Sequence, residues 1–552
     1  MILPLLRVLP LALSSLLLPH SAPAQNLTVP KQVAKAMRQV KPNDLKAHIR
    51  YLADDRLLGR QPGTPGYQMA VDYVTQQLKM LGVEPAGDAG TFVQRVRLRK
   101  AFSSIATTSF LLRPSAGTAV PLAAGAEYVF YPNPAIPSVA VEAPLVFAGY
   151  GISAPELSYD DYTGLDAKGK IVVVLRGAPQ AFPSTVAAAS QDVLALLQNA
   201  ARHGAVGVLL ASRTPAAALP NFRQGVFSVL GPDGKVAASR TYAPGADLTL
   251  LGAVSASTLQ TLLRGAAADT STTFAALRAG QPASVALPAS MKATNISTYQ
   301  EVDSYNVVGR ITGSDARLRD EYVVHSAHLD HLGVGVPVKG DSIYNGAHDN
   351  ASGVASVLEI ARIYSQLPQK PKRSVLLVLQ TGEELGLLGS AFFAAQPTVP
   401  KGKIVADINT DMPTIIAPLL SVVALGGQHS SLLEPTTRAA AYLGLSVEAD
   451  PEPEQNRFIR SDQYSFVTQG IPALHIKYGN KTADGKNDFS KTVQAWRTAT
   501  YHKPQDDING TFDFEAGKKY VQLNFLIGYQ VAQAEQRPTW NAGDFFGSRF
   551  GK

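Results

Sequence analysis

The sequence predicts an α/β protein with a mainly parallel central sheet flanked by helices, and a compact β-rich domain ahead of that sheet. Three observations carry the prediction. From about residue 303 onward apolar strands and amphipathic helices alternate, the pattern of crossovers in a parallel sheet. From about 138 to 285 short β-branched runs alternate instead with Ala-rich and Gly/Pro-rich pieces. A chain of 552 residues also exceeds one small core and points to two or three domains.

The elements follow in order. "MILPLLRVLPLALSSLLLPHSAPAQ" opens with Arg7, continues with an apolar run over about 8–18 and ends in small residues, with Ala22 and Ala24 in an A-x-A pattern. That pattern predicts a secretory signal, cut after Ala24. The run is short for a membrane span, so the mature protein is expected to be exported, to a periplasm or the extracellular space. Residues 43–82 predict two helices around the loop "GRQPGTPG", with Asn43 or Asp44 capping the first and Gly82 closing the second. In the middle, "APLVFAGYG", "GKIVVVLRG" and "GAVGVLLAS" read as strands, and "STVAAASQDVLALLQNAARHG" as a helix.

Beyond 303, "SYNVVGRI", "EYVVHSAH", "RSVLLVLQ" and "KIVADINTDM" read as strands, while "ASGVASVLEIARIYSQL" and "GLLGSAFFAAQ" read as helices. "RSVLLVLQ" is apolar throughout, as expected of a strand buried on both faces.

Composition excludes several classes. The chain has no cysteine, so thiol nucleophiles and thiolate ligands are ruled out. A net charge of +7 is mild for this length, and short basic clusters such as "RVRLRK" (95–100) read as solvated surface, which predicts no nucleic-acid partner. Neither a membrane span nor an obligate protein partner is expected. A G-x-S-x-G elbow is absent, as is H-E-x-x-H, and "GLDAKGKI" (164–171) ends in Ile171 where a phosphate-binding loop needs Ser or Thr.

Ligands of such sheets bind beyond the carboxyl ends of the strands, and there the residues suit a metal. "HSAHLDHLG" places His325, His328, Asp330 and His331 within seven residues, although the whole chain has ten histidines. Spacing alone does not choose among them. "NGAHDNASG" brings Asp349 just before a helix, "VLLVLQTGEELG" ends in Glu383 and Glu384, "VADINTDM" in Asp411, and "TYHKPQDD" carries His502 and Asp506. Singly, each has a bland reading as a turn residue or a helix-dipole partner. Together they supply the two imidazoles, terminal carboxylates and bridging carboxylate that a pair of metals requires.

Taken in order, "AHLDHLG", "GAHDNASG", "TGEELGLLGS", "NTDM" and "YHKPQDD" resemble the co-catalytic di-zinc aminopeptidase family (peptidase family M twenty-eight). The resemblance covers about 43–530. "GLDAKGKIVVVLRG" and "ARHGAVGVLL" resemble the protease-associated domain that many members carry as an insert. The resemblance implies a zinc-exopeptidase fold divided into a signal peptide (1–24), an N-terminal peptidase part (25–137), a protease-associated insert (138–285), a metal-binding catalytic part (286–535) and a C-terminal tail (536–552).

It further implies two Zn2+ per chain, one held by His328 and Asp411 and the other by Glu384 and His502, with Asp349 bridging. Glu383 is implied as general base, and Asp330 as the carboxylate that orients His328. Asp506 is a candidate for the same role near His502. Asn350, Asp462 and Arg460 are further candidates around the substrate, and a strained, cis peptide is implied at 349–350. On an alternating strand 328 and 330 share one face while 325 and 331 face away, so His331 is expected to serve the loop or the ligands' surroundings. Two departures stand out: His348, where the family commonly has an acidic residue, and Gln463, where it commonly has His.

The implied activity is an exopeptidase acting at peptide N-termini. A carboxypeptidase is the alternative, with Arg457 and Arg460 available for a terminal carboxylate. A receptor-like binding protein is a third reading, set against the presence of the whole ligand set and Glu383.

Overall fold

The computed structural model describes residues 27–214, 217–266 and 268–551; the segment 1–24 expected as a signal peptide lies outside the described residues. Among those residues no helix is long and apolar enough to cross a membrane.

The catalytic half is built on four parallel strands. Tyr322–His328 pairs in parallel with Ser374–Gln380 on one side and Ile404–Asn409 on the other, and the latter pairs in parallel with Ala473–Tyr478. Antiparallel neighbours flank them: Val285–Ile311 on Ser374–Gln380, and Ser421–Leu425 on Ala473–Tyr478. Every residue of Ser374–Gln380 is buried. Its side chains alternate between two cores. Val375, Leu377 and Leu379 face the helices Pro42–Leu52, Ser352–Gln366 and Phe514–Gln533, whereas Leu376 and Val378 face the opposite layer with Phe393 and Phe466. Each such side chain contributes about 1.5–3 kcal/mol by leaving water. All four parallel strands therefore end on one edge of a rigid slab.

In the β-rich domain Ser138–Phe147, Ile171–Leu175, Gly207–Ala211 and Leu250–Val254 run parallel in that order, with Tyr128–Phe130 antiparallel at the edge, and Ser138–Phe147 joins them to the catalytic sheet by pairing with Val285–Ile311. The single helix expected over 184–204 is two, Ser184–Ser190 and Val193–Arg202. Asp192 breaks it, because its carboxylate caps the second helix by accepting from Leu194 N–H.

Two long antiparallel strands, Val93–Pro114 and Val285–Ile311, run through both halves. Only the end of the second, 304–311, is legible as a strand, since the rest is rich in polar residues. Their pairing explains the basic cluster at 95–100: Arg95 meets Asp303 at 2.7 Å and Arg99 meets Glu301 at 2.7 Å across the ladder. These exposed pairs are worth only about 0–1 kcal/mol each, but they set register.

Two further expectations are corrected. The helix Pro42–Leu52 starts at Pro42 behind Lys41, so Asn43 and Asp44 lie in its first turn and do not cap it; proline's fixed φ suits that first position. The supposed tail contains a docked helix, Phe545–Phe550. Phe546 packs on Phe458 and His429, Trp540 donates to the Gly470 carbonyl at 3.0 Å, and Arg549 reaches Glu156 of the β-rich domain at 3.7 Å.

Candidate metal centre

Three of the four parallel strands deliver an acidic or imidazole group where they end. His328 is the last residue of its strand, Glu383 and Glu384 follow Gln380, and Asp411 follows Asn409. Asp349 stands at the head of Ser352–Gln366 and His502 between the helices Phe489–Thr500 and Phe514–Gln533.

The structure brings all five candidate ligands together. His328 Nε2 lies 3.3 Å from Asp349 Oδ1 and 3.4 Å from Asp411 Oδ1. His502 Nε2 lies 3.3 Å from Asp349 Oδ2 and 3.5 Å from Glu384 Oε2. A tetrahedral ion with bonds of about 2.0–2.1 Å separates its ligands by about 3.3–3.4 Å, so each trio has the spacing of one metal's ligands. The two oxygens of Asp349 face opposite trios, as a bridging carboxylate must. His328 Nε2 and Asp411 Oδ1 are buried without a hydrogen bond; they converge on a common point and not on one another. The residues therefore fit two metal ions.

Electrostatics agree. Burial opposes ionisation of Asp349, yet the His328 and His502 imidazoles hold its carboxyl well below the usual range. Burial likewise opposes ionisation of Asp411, and His328 holds it down. Glu383 differs: burial and the neighbouring Glu384, Asp411 and Asp462 push its carboxyl up.

The surroundings refine several sequence-based roles. His328 Nδ1 donates to the Asp330 main-chain carbonyl at 3.2 Å, while the Asp330 carboxylate stands 3.8 Å away. That carboxylate instead accepts from the Glu383 and Glu384 amides, at 3.2 and 3.4 Å, and so positions both residues. Asn350 donates to the Thr410 carbonyl and accepts from Met412 N–H, at 2.9 and 3.1 Å, joining the Asp349 and Asp411 turns. The 349–350 peptide is cis. Asp506 does not orient His502 as expected; it accepts from the His348 and Asp349 amides, at 2.9 and 3.0 Å.

Neither departure from the resemblance reaches the candidate ligands. His348 stacks on Phe512 at 4.1 Å and its Nε2 meets the Thr511 carbonyl at 3.0 Å; burial brings its pKa down to about 4, so the ring is neutral. It is not a spare ligand. Gln463 is buried, accepts from Asn409 at 2.8 Å and donates to the Phe458 carbonyl at 2.5 Å, a structural bridge. Asp462 is fully buried, and its carboxyl is pushed by burial to about 7. Arg460 is exposed, reaches the Gln455 carbonyl at 3.4 Å, and takes no part in the cluster.

His325 is packed against Tyr364, away from the ligands, as alternation predicts. The same alternation fails for His331. The strand ends at His328, and beyond it the ring of His331 turns into the cluster, with Nδ1 2.8 Å from Glu384 Oε1.

Arg60 and Lys477 escaped the sequence reading. Arg60 lies in "GRQPGTPG" with φ 49° and is fully buried. Its guanidinium donates to four carbonyls: Leu52 (2.5 Å), Asn345 (2.6 Å), Leu329 (2.9 Å) and Gly346 (3.1 Å). It thus ties the His328–Asp330 loop to the turn carrying Asp349. Burial lowers its pKa to about 10, against the pull of the Asp330, Asp349, Asp506 and Glu384 carboxylates. Neighbouring Gly59, φ 68°, has no room for a Cβ, which would stand 2.4 Å from the Tyr344 carbonyl oxygen. Lys477 donates to the Asp411 and Met412 carbonyls at 3.0 and 2.6 Å, holding the turn that presents Asp411. Only the glycine-rich loop around Arg60 signalled a special backbone.

Arg60→Met would leave buried carbonyls unpaired, at about 1–3 kcal/mol each. Its melting temperature is expected to fall by several degrees and its zinc affinity by about 10–100-fold, as for other groups that support ligands. A melt within one degree of the parent, by differential scanning calorimetry, would refute this role.

Comparison with known proteins finds two matching regions. Residues 306–519 match Peptidase family M28, and residues 141–252 match the PA domain. Leupeptin-inactivating enzyme 1 of Streptomyces exfoliatus is 28% identical over 247 residues, covering 43% of this chain and 52% of that protein. A probable zinc metalloprotease of Pyrenophora tritici-repentis is 35% identical over 263 residues, covering 43% and 59%. Carboxypeptidase Q of Rattus norvegicus is 35% identical over 121 residues, covering 21% and 23%. The matched region thus spans about half the length of the first two relatives and less of the third. Among solved structures, an aminopeptidase from an Aneurinibacillus species aligns over 90% of this chain and 95% of its own, at 20% identity and a TM-score of 0.46. Residues 306–519 are thus similar to Peptidase family M28, with a region similar to the PA domain ahead of them.

Proposed function

We propose that this chain is a zinc-dependent exopeptidase that releases residues from peptide N-termini, with two Zn2+ held by His328, Asp411, Glu384, His502 and the bridging Asp349. One observation carries the reading: in each of two trios an imidazole nitrogen stands 3.3–3.5 Å from two carboxylate oxygens, and each trio takes one of the two oxygens of Asp349. When bound, the metals supply Lewis acidity, polarising the scissile carbonyl and lowering the pKa of a water.

The chain's own residues do the rest. Glu383, partly open to solvent at the turn after Gln380, takes a proton from the attacking water and passes it to the leaving amine. Asp330 keeps Glu383 in place through its amide, and Arg60 keeps the two metal-bearing loops in register. The carboxylates lining the centre favour a cationic substrate group, which supports recognition of a free α-amine. The cation proposed for a terminal carboxylate, Arg457, is already paired with Asp450 and Glu452.

A carboxypeptidase is the second reading, and Arg497 favours it. Its guanidinium lies 3.9 Å over the Tyr501 ring, which stacks on His502 at 3.8 Å, so a cation stands beside the centre. A peptide with a free N-terminus and its N-acetylated twin separate the two. The first is expected to lose its N-terminal residue, and the second to resist. Shortening of the acetylated peptide from its C-terminus would replace the aminopeptidase reading with the second.

A further inference from the structure

We propose that His331 is a further ligand of the metal held by Glu384, His502 and Asp349, so that this site carries one imidazole more than its neighbour. The inference rests on the metallopeptidase reading above. Its ground is the environment of the His331 ring. The side chain has no exposed surface; Nδ1 stands 2.8 Å from Glu384 Oε1 and 4.0 Å from Asp349 Oδ2. Despite the short approach, no hydrogen bond aligns: both ring nitrogens of His331 and Oε1 of Glu384 are buried and unpartnered. His328 Nε2 and Asp411 Oδ1 share that condition. Leaving such groups unsatisfied costs about 1–3 kcal/mol each; a cation between them removes that cost.

The ring is held where a ligand must be. His331 N–H donates to the Arg60 carbonyl at 3.3 Å, so the residue that ties the two loops also fixes this backbone. Gly346 makes the space, since a Cβ there would stand 2.6 Å from two ring carbons of His331. His331, Asp349 and Glu384 can each offer one atom to a common ion. His331 would reach such an ion from the buried side. His502, whose side chain is 37% exposed, approaches from the open side. The other site has no comparable second imidazole among the described residues.

The test uses metal binding and not turnover. Metal-depleted full-length protein, His331→Ala and His331→Gln are titrated with Zn2+ against a competing chelator, and with Co2+ while visible absorption is recorded. In the parent chain two ions are expected to bind. His331→Ala should keep one ion at parental affinity and bind the other more than about 100-fold more weakly, beyond the 10–100-fold that loss of a supporting group produces. Its Co2+ bands should change in position and intensity as one imidazole ligand is lost.

Gln can still donate a hydrogen bond to Glu384 but is a poor ligand, so His331→Gln should behave like Ala. Recovery of parental affinity and spectrum by Gln would make His331 only a hydrogen-bonding support and overturn the assignment. So would a weakening below 100-fold with an unchanged spectrum in Ala. Binding of fewer than two ions by the parent chain would instead sink the two-metal reading itself, and is seen before any variant is compared.

Discussion

Glu383→Gln is expected to keep its metal and lose about 10²–10⁴-fold in kcat, the range that a positioned general base contributes. The substitution is nearly isosteric. The Glu383 and Glu384 amides still reach the Asp330 carboxylate, so the turn and the neighbouring ligand stay in place. What disappears is the proton acceptor. Removing a step realised only in the transition state lowers kcat and kcat/KM together and leaves KM near its parental value. Stability should not suffer, because Glu383 lies among Glu384, Asp411 and Asp462 and neutralising it relieves repulsion. Steady-state kinetics beside a zinc determination decide the matter. Near-parental kcat at full metal occupancy would remove Glu383 from the mechanism.

Metal removal is the second large effect. A chelator is expected to abolish activity and lower the melting temperature, and added Zn2+ should restore both. In the metal-free state the carboxylates of Asp349, Asp411 and Glu384 share a buried space with the imidazoles of His328, His331 and His502. Bound cations offset the repulsion among those buried carboxylates. A ligand bound only by the folded state stabilises by about 4 kcal/mol when its free concentration is 1,000 times Kd, and that contribution vanishes with the metal. Full activity in protein shown to be metal-free would overturn the metallopeptidase reading.

Much of the metal centre was legible because it is local. A strand that enters a parallel sheet must end at its carboxyl edge, so the residues after "YVVHSAH", "SVLLVLQ" and "IVADIN" reach that edge whatever the rest of the chain does. His325 was also readable, since alternation holds while the strand lasts. The long strands 93–114 and 285–311 were not, because their exposed stretches carry polar residues and no clean apolar period. The broken helix at Asp192 and the docked helix at 545–550 were missed for related reasons: a cap competing with helical continuation, and packing against distant partners.

By itself the sequence determined the sheet, its carboxyl edge and the kind of groups gathered there, since strand periodicity and strand–helix alternation depend on neighbours in the chain. Only the tertiary structure decided where side chains turn once the strands end. His331 swings into the centre while His348 swings out onto Phe512. Asp506 serves the amides before Asp349, and Arg60 joins loops more than 260 residues away in sequence. Beyond the last ladder hydrogen bond no period dictates direction. Contacts with residues remote in sequence set it, and those exist only once the chain has folded.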